Sequence, residues 1–126
     1  MKNALFALLM FVPIVLLSQK TKKPVLGFDA VEIVRQDIPY DAKDLFVFTF
    51  KNNGKVPIRI ETVQTSCGCT TAEKPTDAIN KKAKGQISVS YDTKRVGEFV
   101  KSITVTPNVG EPIVLTIRGN VLPENK

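Results

Sequence analysis

The sequence predicts an all-β fold, an immunoglobulin-like antiparallel β-sandwich that follows an N-terminal signal peptide. Three observations carry that expectation. From Gln19 onward there are 22 Val and Ile against four Leu and five Ala. β-branched side chains fit a pleated, half-buried surface and lose rotamer freedom in a helix. Apolar and polar residues alternate with period two in several short runs, and glycine-, proline- and asparagine-rich turns separate those runs at intervals suited to a sandwich.

The first segment is read as a leader. Lys2 supplies a short basic start, and Ala4–Leu17 is apolar throughout except for Pro13. A membrane-spanning helix needs about 20 apolar residues, and this run is shorter. Residues 1–18 are therefore expected to be a signal peptide, cleaved after Ser18 or Gln19. The competing reading is an uncleaved anchor, because Lys20, Lys22 and Lys23 follow the apolar run where the positive-inside tendency prefers basic residues before it. Both readings place the domain outside the cytoplasm, in the periplasm or at the cell surface, and cleavage leaves no transmembrane segment in the mature chain. The absence of a cysteine just after the run argues against lipoprotein processing.

Residues 19–25 form a basic arm, residues 26–122 the sandwich and residues 123–126 a tail. The whole chain carries 18 Lys+Arg and 12 Asp+Glu, but from Pro24 onward the balance is 14 to 12. Most of the basic excess belongs to the leader and arm. No basic cluster interleaved with aromatics marks a nucleic-acid surface, so no nucleic-acid partner is expected.

The strands are expected in order. An early strand lies within Gly27–Val34. Phe46, Phe48 and Phe50 share one face of the next. Ile58, Ile60 and Thr62 alternate with Arg59 and Glu61. Ile87, Val89 and Tyr91 form another face. Phe99, Ile103 and Val105 follow, interrupted by Lys101 on the same side. Ile113, Leu115, Ile117 and Val121 close the series. Turns are expected at Asp37–Asp41, Asn52–Gly54, Lys84–Gly85, Arg95–Gly97 and Pro107–Gly110, and one short helical turn at Ala78–Ala83. The first strand and the last, Pro112–Val121, are the expected open edges.

The chemistry available is narrow. There is no histidine, so no Ser-His or Cys-His nucleophile pair and no imidazole metal ligand exists. No phosphate loop, GxSxG or dinucleotide fingerprint occurs, and no cofactor is expected. Asp37, Asp41 and Asp44 could offer oxygen to Ca²⁺, but no calcium-loop spacing accompanies them, and turn stabilisation is the favoured reading.

One local motif stands out, Thr65-Ser66-Cys67-Gly68-Cys69-Thr70-Thr71. In an extended chain the α carbons of Cys67 and Cys69 lie about 7 Å apart, slightly long for a disulfide, and a bend at Gly68 shortens the distance. The pair admits four readings: a structural disulfide or two buried thiols; a redox-active dithiol, with Lys74 and the strand end as activators and Ser66, Gly68 and Thr70 as neighbours; a soft-metal pair completed by a second chain; or attachment to a partner. The cysteines are too close in sequence to form the inter-sheet bridge of immunoglobulin domains.

These elements together resemble DUF1573, an exported family of unknown function. The resemblance rests on Phe46-Val47-Phe48-Thr49-Phe50, the following Lys51–Ile60 segment, and Val63-Gln64-Thr65-Ser66-Cys67-Gly68-Cys69-Thr70. Gly85–Asp92, Gly97–Lys101 and Ile117-Arg118-Gly119 complete it, so that it spans Gly27 to Val121. It implies a sandwich similar to the immunoglobulin-like domains of ciliary and centrosomal proteins and, more distantly, of pilus chaperones. It also implies export in Gram-negative bacteria. It brings no catalytic residue, ligand or cofactor. The resulting expectation is a non-enzymatic interaction or structural module with a protein partner in the cell envelope. A small thiol-redox or soft-metal protein using Cys67-Gly68-Cys69 is the alternative.

Overall fold

Three phenylalanines at period two set the architecture. In the computed structural model, which describes residues 13–14 and 24–125, Phe46, Phe48 and Phe50 are each no more than 1% exposed, while Leu45, Val47 and Lys51, at alternate positions, face outward. Burying each ring contributes about 2 kcal/mol. Most of the expected leader and of the basic arm lies outside the described residues.

Eight strands follow in order: β1 (Leu26–Phe28), β2 (Glu32–Ile38), β3 (Leu45–Asn52), β4 (Ile60–Thr65), β5 (Thr70–Glu73), β6 (Lys84–Tyr91), β7 (Gly97–Pro107) and β8 (Ile113–Val121). They form two four-stranded sheets ordered β1-β3-β6-β5 and β2-β8-β7-β4. Apart from the edge strand β2, this is the division of strands of a constant-type immunoglobulin domain. The core lies between the sheets, where Phe46, Phe48, Phe50, Ile87 and Val89 of the first meet Ile60, Ile103, Val105, Leu115 and Ile117 of the second. Among the described residues no helix is long and apolar enough to cross a membrane.

Four details depart from the alternation read in the sequence. The single early strand is two strands, β1 and β2, divided at Asp29–Val31 because they belong to opposite sheets. β2 runs parallel to β8, with Ile33 opposite Ile117, so the second sheet is mixed rather than wholly antiparallel. The expected turn at Asp37 is the end of β2, and Ile38 is buried there at 3% exposure. The Ile58, Ile60, Thr62 face breaks because the β4–β7 register shifts between Ile60 and Thr62, so that Val63 and Thr65, not Thr62, turn inward beyond it. An extra residue in one strand re-aims every side chain that follows.

Two positions tie the layers together. Gly119 lies where β2, β8 and β7 crowd: a Cβ there would stand 2.5 Å from the Arg35 carbonyl oxygen and 2.9 Å from the Phe99 ring. Asn52, fully buried at the end of β3, donates through Nδ2 to the carbonyls of Val56 (2.8 Å) and Ile79 (2.9 Å), and its Oδ1 accepts the Gly54 N–H. The Asn52–Gly54 turn signal is thus a buried polar clasp. It holds the Ile58–Ile79 bridge beside it, where the backbones exchange two hydrogen bonds. Ala78–Ala83 forms a tight turn closed by the Ala83 N–H and the Asn80 carbonyl, with Lys82 at φ 65°.

Candidate functional site

The Ser66–Cys69 segment is the corner at which the chain leaves the second sheet at the end of β4 and enters the first at β5. Packed sheets lie about 10 Å apart, so four residues must both cross and turn. The corner is pinned on both sides. The Ser66 N–H donates to the Ser102 carbonyl, and Ser66 Oγ accepts the Ser102 N–H at 3.1 Å. The Cys67 carbonyl accepts the Thr65 hydroxyl at 3.1 Å and the Thr70 N–H at 3.3 Å.

Cys67 and Cys69 are joined by a disulfide, with their α carbons 5.4 Å apart. The bridge is local to the corner and does not join the sheets as an immunoglobulin disulfide does. The two sulfurs are bonded to each other, so this state offers no thiolate pair to a soft metal.

The surroundings of the two sulfurs differ. The Cys69 N–H donates to Cys67 Sγ at 3.3 Å. Thr70, only 4% exposed, places its hydroxyl 3.9 Å from Cys67 Sγ and 3.7 Å from Cys69 Sγ. Cys69, not Cys67, lines a cleft of about 430 Å³ at this end of the sandwich. Its walls include Gly68, Thr71, Ser90 and Tyr91, together with Asp41–Leu45 from the β2–β3 connection. Antiparallel pairing of β5 with β6 sets Thr70 opposite Tyr91 and so brings the end of β6 to the disulfide. Beneath the cleft Tyr91 stacks on Phe99 with ring centroids 3.9 Å apart, and Phe99 meets Phe46 edge-on at 6.2 Å. Burial pushes the Tyr91 phenol above its ordinary value; Arg95 pulls it down and Asp92 raises it further.

Residues 26–121 match the family model of DUF1573, proteins of unknown function. The chain belongs to the DUF1573 family. Its fold is shared with solved structures of low sequence identity. A protein of unknown function from Porphyromonas gingivalis W83 superposes with a TM-score of 0.64 at 13% identity, over 77% of this chain and 46% of that one. The ASH/PapD-like domain 7 of human CEP192 gives 0.66 at 8% identity, over 87% and 95%. The YadV chaperone gives 0.54 at 16% identity, over 80% and 53%. The chain thus spans about half the length of the P. gingivalis protein and of YadV. The sequence matches no curated protein.

In this DUF1573 domain the other candidate residues are placed as follows. Lys74, considered as a thiolate activator, donates its ammonium to the Ile60 carbonyl at 3.1 Å and is engaged there. Asp41 and Asp44 reach the cleft wall, but Asp41 pairs with Lys43 at 3.2 Å and Asp44 with Arg35 at 3.9 Å. Asp37 sits on β2 at φ 56°, outside the cleft lining. Among the described residues no three carboxylate, cysteine or histidine groups converge on a metal position. Gly68 has neither a left-handed φ nor any atom within 4 Å of an added Cβ, so the bend between the cysteines does not depend on glycine. Tyr91 and Ser90 join the site unforeseen by the motif. Only the β5–β6 register could have indicated them; Thr65, which opens the motif, acts through its hydroxyl on the Cys67 carbonyl.

Proposed function

We propose that this DUF1573 chain is an exported, non-enzymatic module of the bacterial cell envelope that binds an extended segment of a partner protein along the open edge of β2. The observation that carries the reading is the character of that edge. Among the described residues β2 is the longest strand at the margin of either sheet, at seven residues against three for β1, six for β4 and four for β5. Val31 just before it and Val34 within it are 53% and 51% exposed. The last strand, expected as an edge, is internal, between β2 and β7.

An unpaired strand presents a row of N–H and C=O groups that another chain can complete. Val31 gives its carbonyl to the Thr116 N–H of β8. Backbone groups alternate along a strand, so those of Glu32 and Val34 face away from the sheet. Similarity to the YadV chaperone supports an interaction role, and the leader pattern supports export. The absence of histidine supports a binding rather than a catalytic role.

The test is mild cross-linking of the native chain in cells, followed by purification, beside a Val34→Pro variant. Proline at an outward-facing edge position removes the free donor and spares the ladder. The wild type is expected to retain an envelope protein that the variant loses at unchanged melting temperature. A clean monomer, or equal capture by both, would sink the reading.

A further inference from the structure

The asymmetry of the two sulfurs goes beyond edge docking and does not depend on it. We propose that the Cys67–Cys69 disulfide is a thiol-exchange site, in which the thiolate of a partner protein's dithiol attacks Cys69 Sγ and Cys67 departs as the stabilised thiolate. Three observations converge. Cys69 lines the open cleft and Cys67 does not. Gly68, in the cleft lining, leaves empty space where a Cβ would stand, although neither its backbone angles nor its neighbours require glycine. The groups able to stabilise a leaving sulfur are already in place: the Cys69 N–H points at Cys67 Sγ, and the buried Thr70 hydroxyl has the two sulfurs as its hydrogen-bond contacts.

Exchange requires an accessible sulfur to attack and a leaving thiolate of low basicity, and donors aimed at sulfur favour the thiolate. In the first step the partner's thiolate forms an S–S bond to Cys69 while the Cys67–Cys69 bond breaks and its electron pair stays on Cys67. In the second step the partner's other thiol, as thiolate, attacks its own sulfur in the mixed disulfide and releases Cys69. The two protons given up by the partner's thiols end on Cys67 and Cys69. Overall the partner dithiol is oxidised to a disulfide and this chain is reduced by two electrons. The polar cleft walls, Thr71 and Ser90, can seat the backbone of the attacking segment.

The experiment incubates oxidised, folded protein with reduced glutathione, quenches with acid and excess maleimide, and locates each adduct by fragmentation mass spectrometry. Glutathione is expected on Cys69 and maleimide on Cys67, in at least roughly tenfold excess over the reverse. Thr70→Val should slow the exchange roughly fivefold, the rate equivalent of one hydrogen bond. Thr70→Ser, which keeps the hydroxyl, should exchange at the wild-type rate. An even or reversed adduct distribution overturns the assignment of the attacked sulfur. Exchange that occurs only in denaturant overturns the site itself. A serine variant as slow as the valine variant overturns the role of the hydroxyl.

Discussion

Asn52 Nδ2 donates a 2.9 Å hydrogen bond to the Ile79 carbonyl, joining residues 27 positions apart inside the sandwich. The same side chain also reaches the Val56 carbonyl and the Gly54 N–H, so one buried amide holds the end of β3 to the segment between β5 and β6. Removing one partner of a buried hydrogen bond strands the other. Asn52→Ala is therefore expected to lower unfolding free energy by about 2–4 kcal/mol. Urea denaturation at neutral pH checks this; a loss below about 0.5 kcal/mol would mean that the clasp carries no stability.

Two glycines give opposite forecasts. At Gly119 an added methyl collides with the Arg35 carbonyl oxygen, which is backbone and cannot swing aside, and with the Phe99 ring. Gly119→Ala should cost about 1–3 kcal/mol, in the range of overpacked sites. Gly68→Ala meets nothing and needs no special φ, so its effect should stay within about 0.5 kcal/mol. Melting curves of the two variants, measured side by side, test the contrast.

The sandwich was legible because its buried faces are written in period two: Phe46, Phe48 and Phe50 need no tertiary information to be assigned inward. The β4 face was misread because a bulge between Ile60 and Thr62 leaves no trace in a pattern of alternating residues. The parallel seating of β2 on β8 was illegible for a different reason. It pairs residues near opposite ends of the domain, Glu32 with Thr116, and no local signal records so distant a partner. The motif named the cysteines, Ser66, Gly68 and Thr70, but their chemistry came from the fold. Cys69 faces a cleft because β5 pairs with β6, and Thr70 is buried because it begins a strand opposite Tyr91.

The disulfide closes a very short loop, so its contribution through the unfolded chain is small. For three residues the chain-entropy relation gives about 1.6 kcal/mol. The Cys67→Ser/Cys69→Ser double variant is expected to fold and to lose stability by about that amount, with the corner still held by Ser66, Ser102 and Thr65. Far-ultraviolet circular dichroism and urea titration decide between outcomes. Failure to fold would make the bridge essential to the corner, and an unchanged midpoint would show that it adds nothing to stability.

Tyr91 supplies a pH dependence with a definite sign. Its phenol titrates above the ordinary value of 10.0, chiefly because burial penalises the phenolate. A group whose folded value is raised contributes stability that is fully present below the unfolded value and is lost as pH rises through the folded one. The neutral phenol stacked on Phe99 should thus leave this contribution constant from pH 6 to about pH 9, with a decline beginning near pH 10. Lysines titrate in the same alkaline range, so the comparison must be with Tyr91→Phe, which keeps the stacked ring and removes the ionisation. The difference in unfolding free energy between wild type and variant should be flat below about pH 9 and shift in favour of the variant above pH 10. Parallel curves up to pH 11.5 would show that the phenol ionises as easily in the folded chain as in the unfolded one.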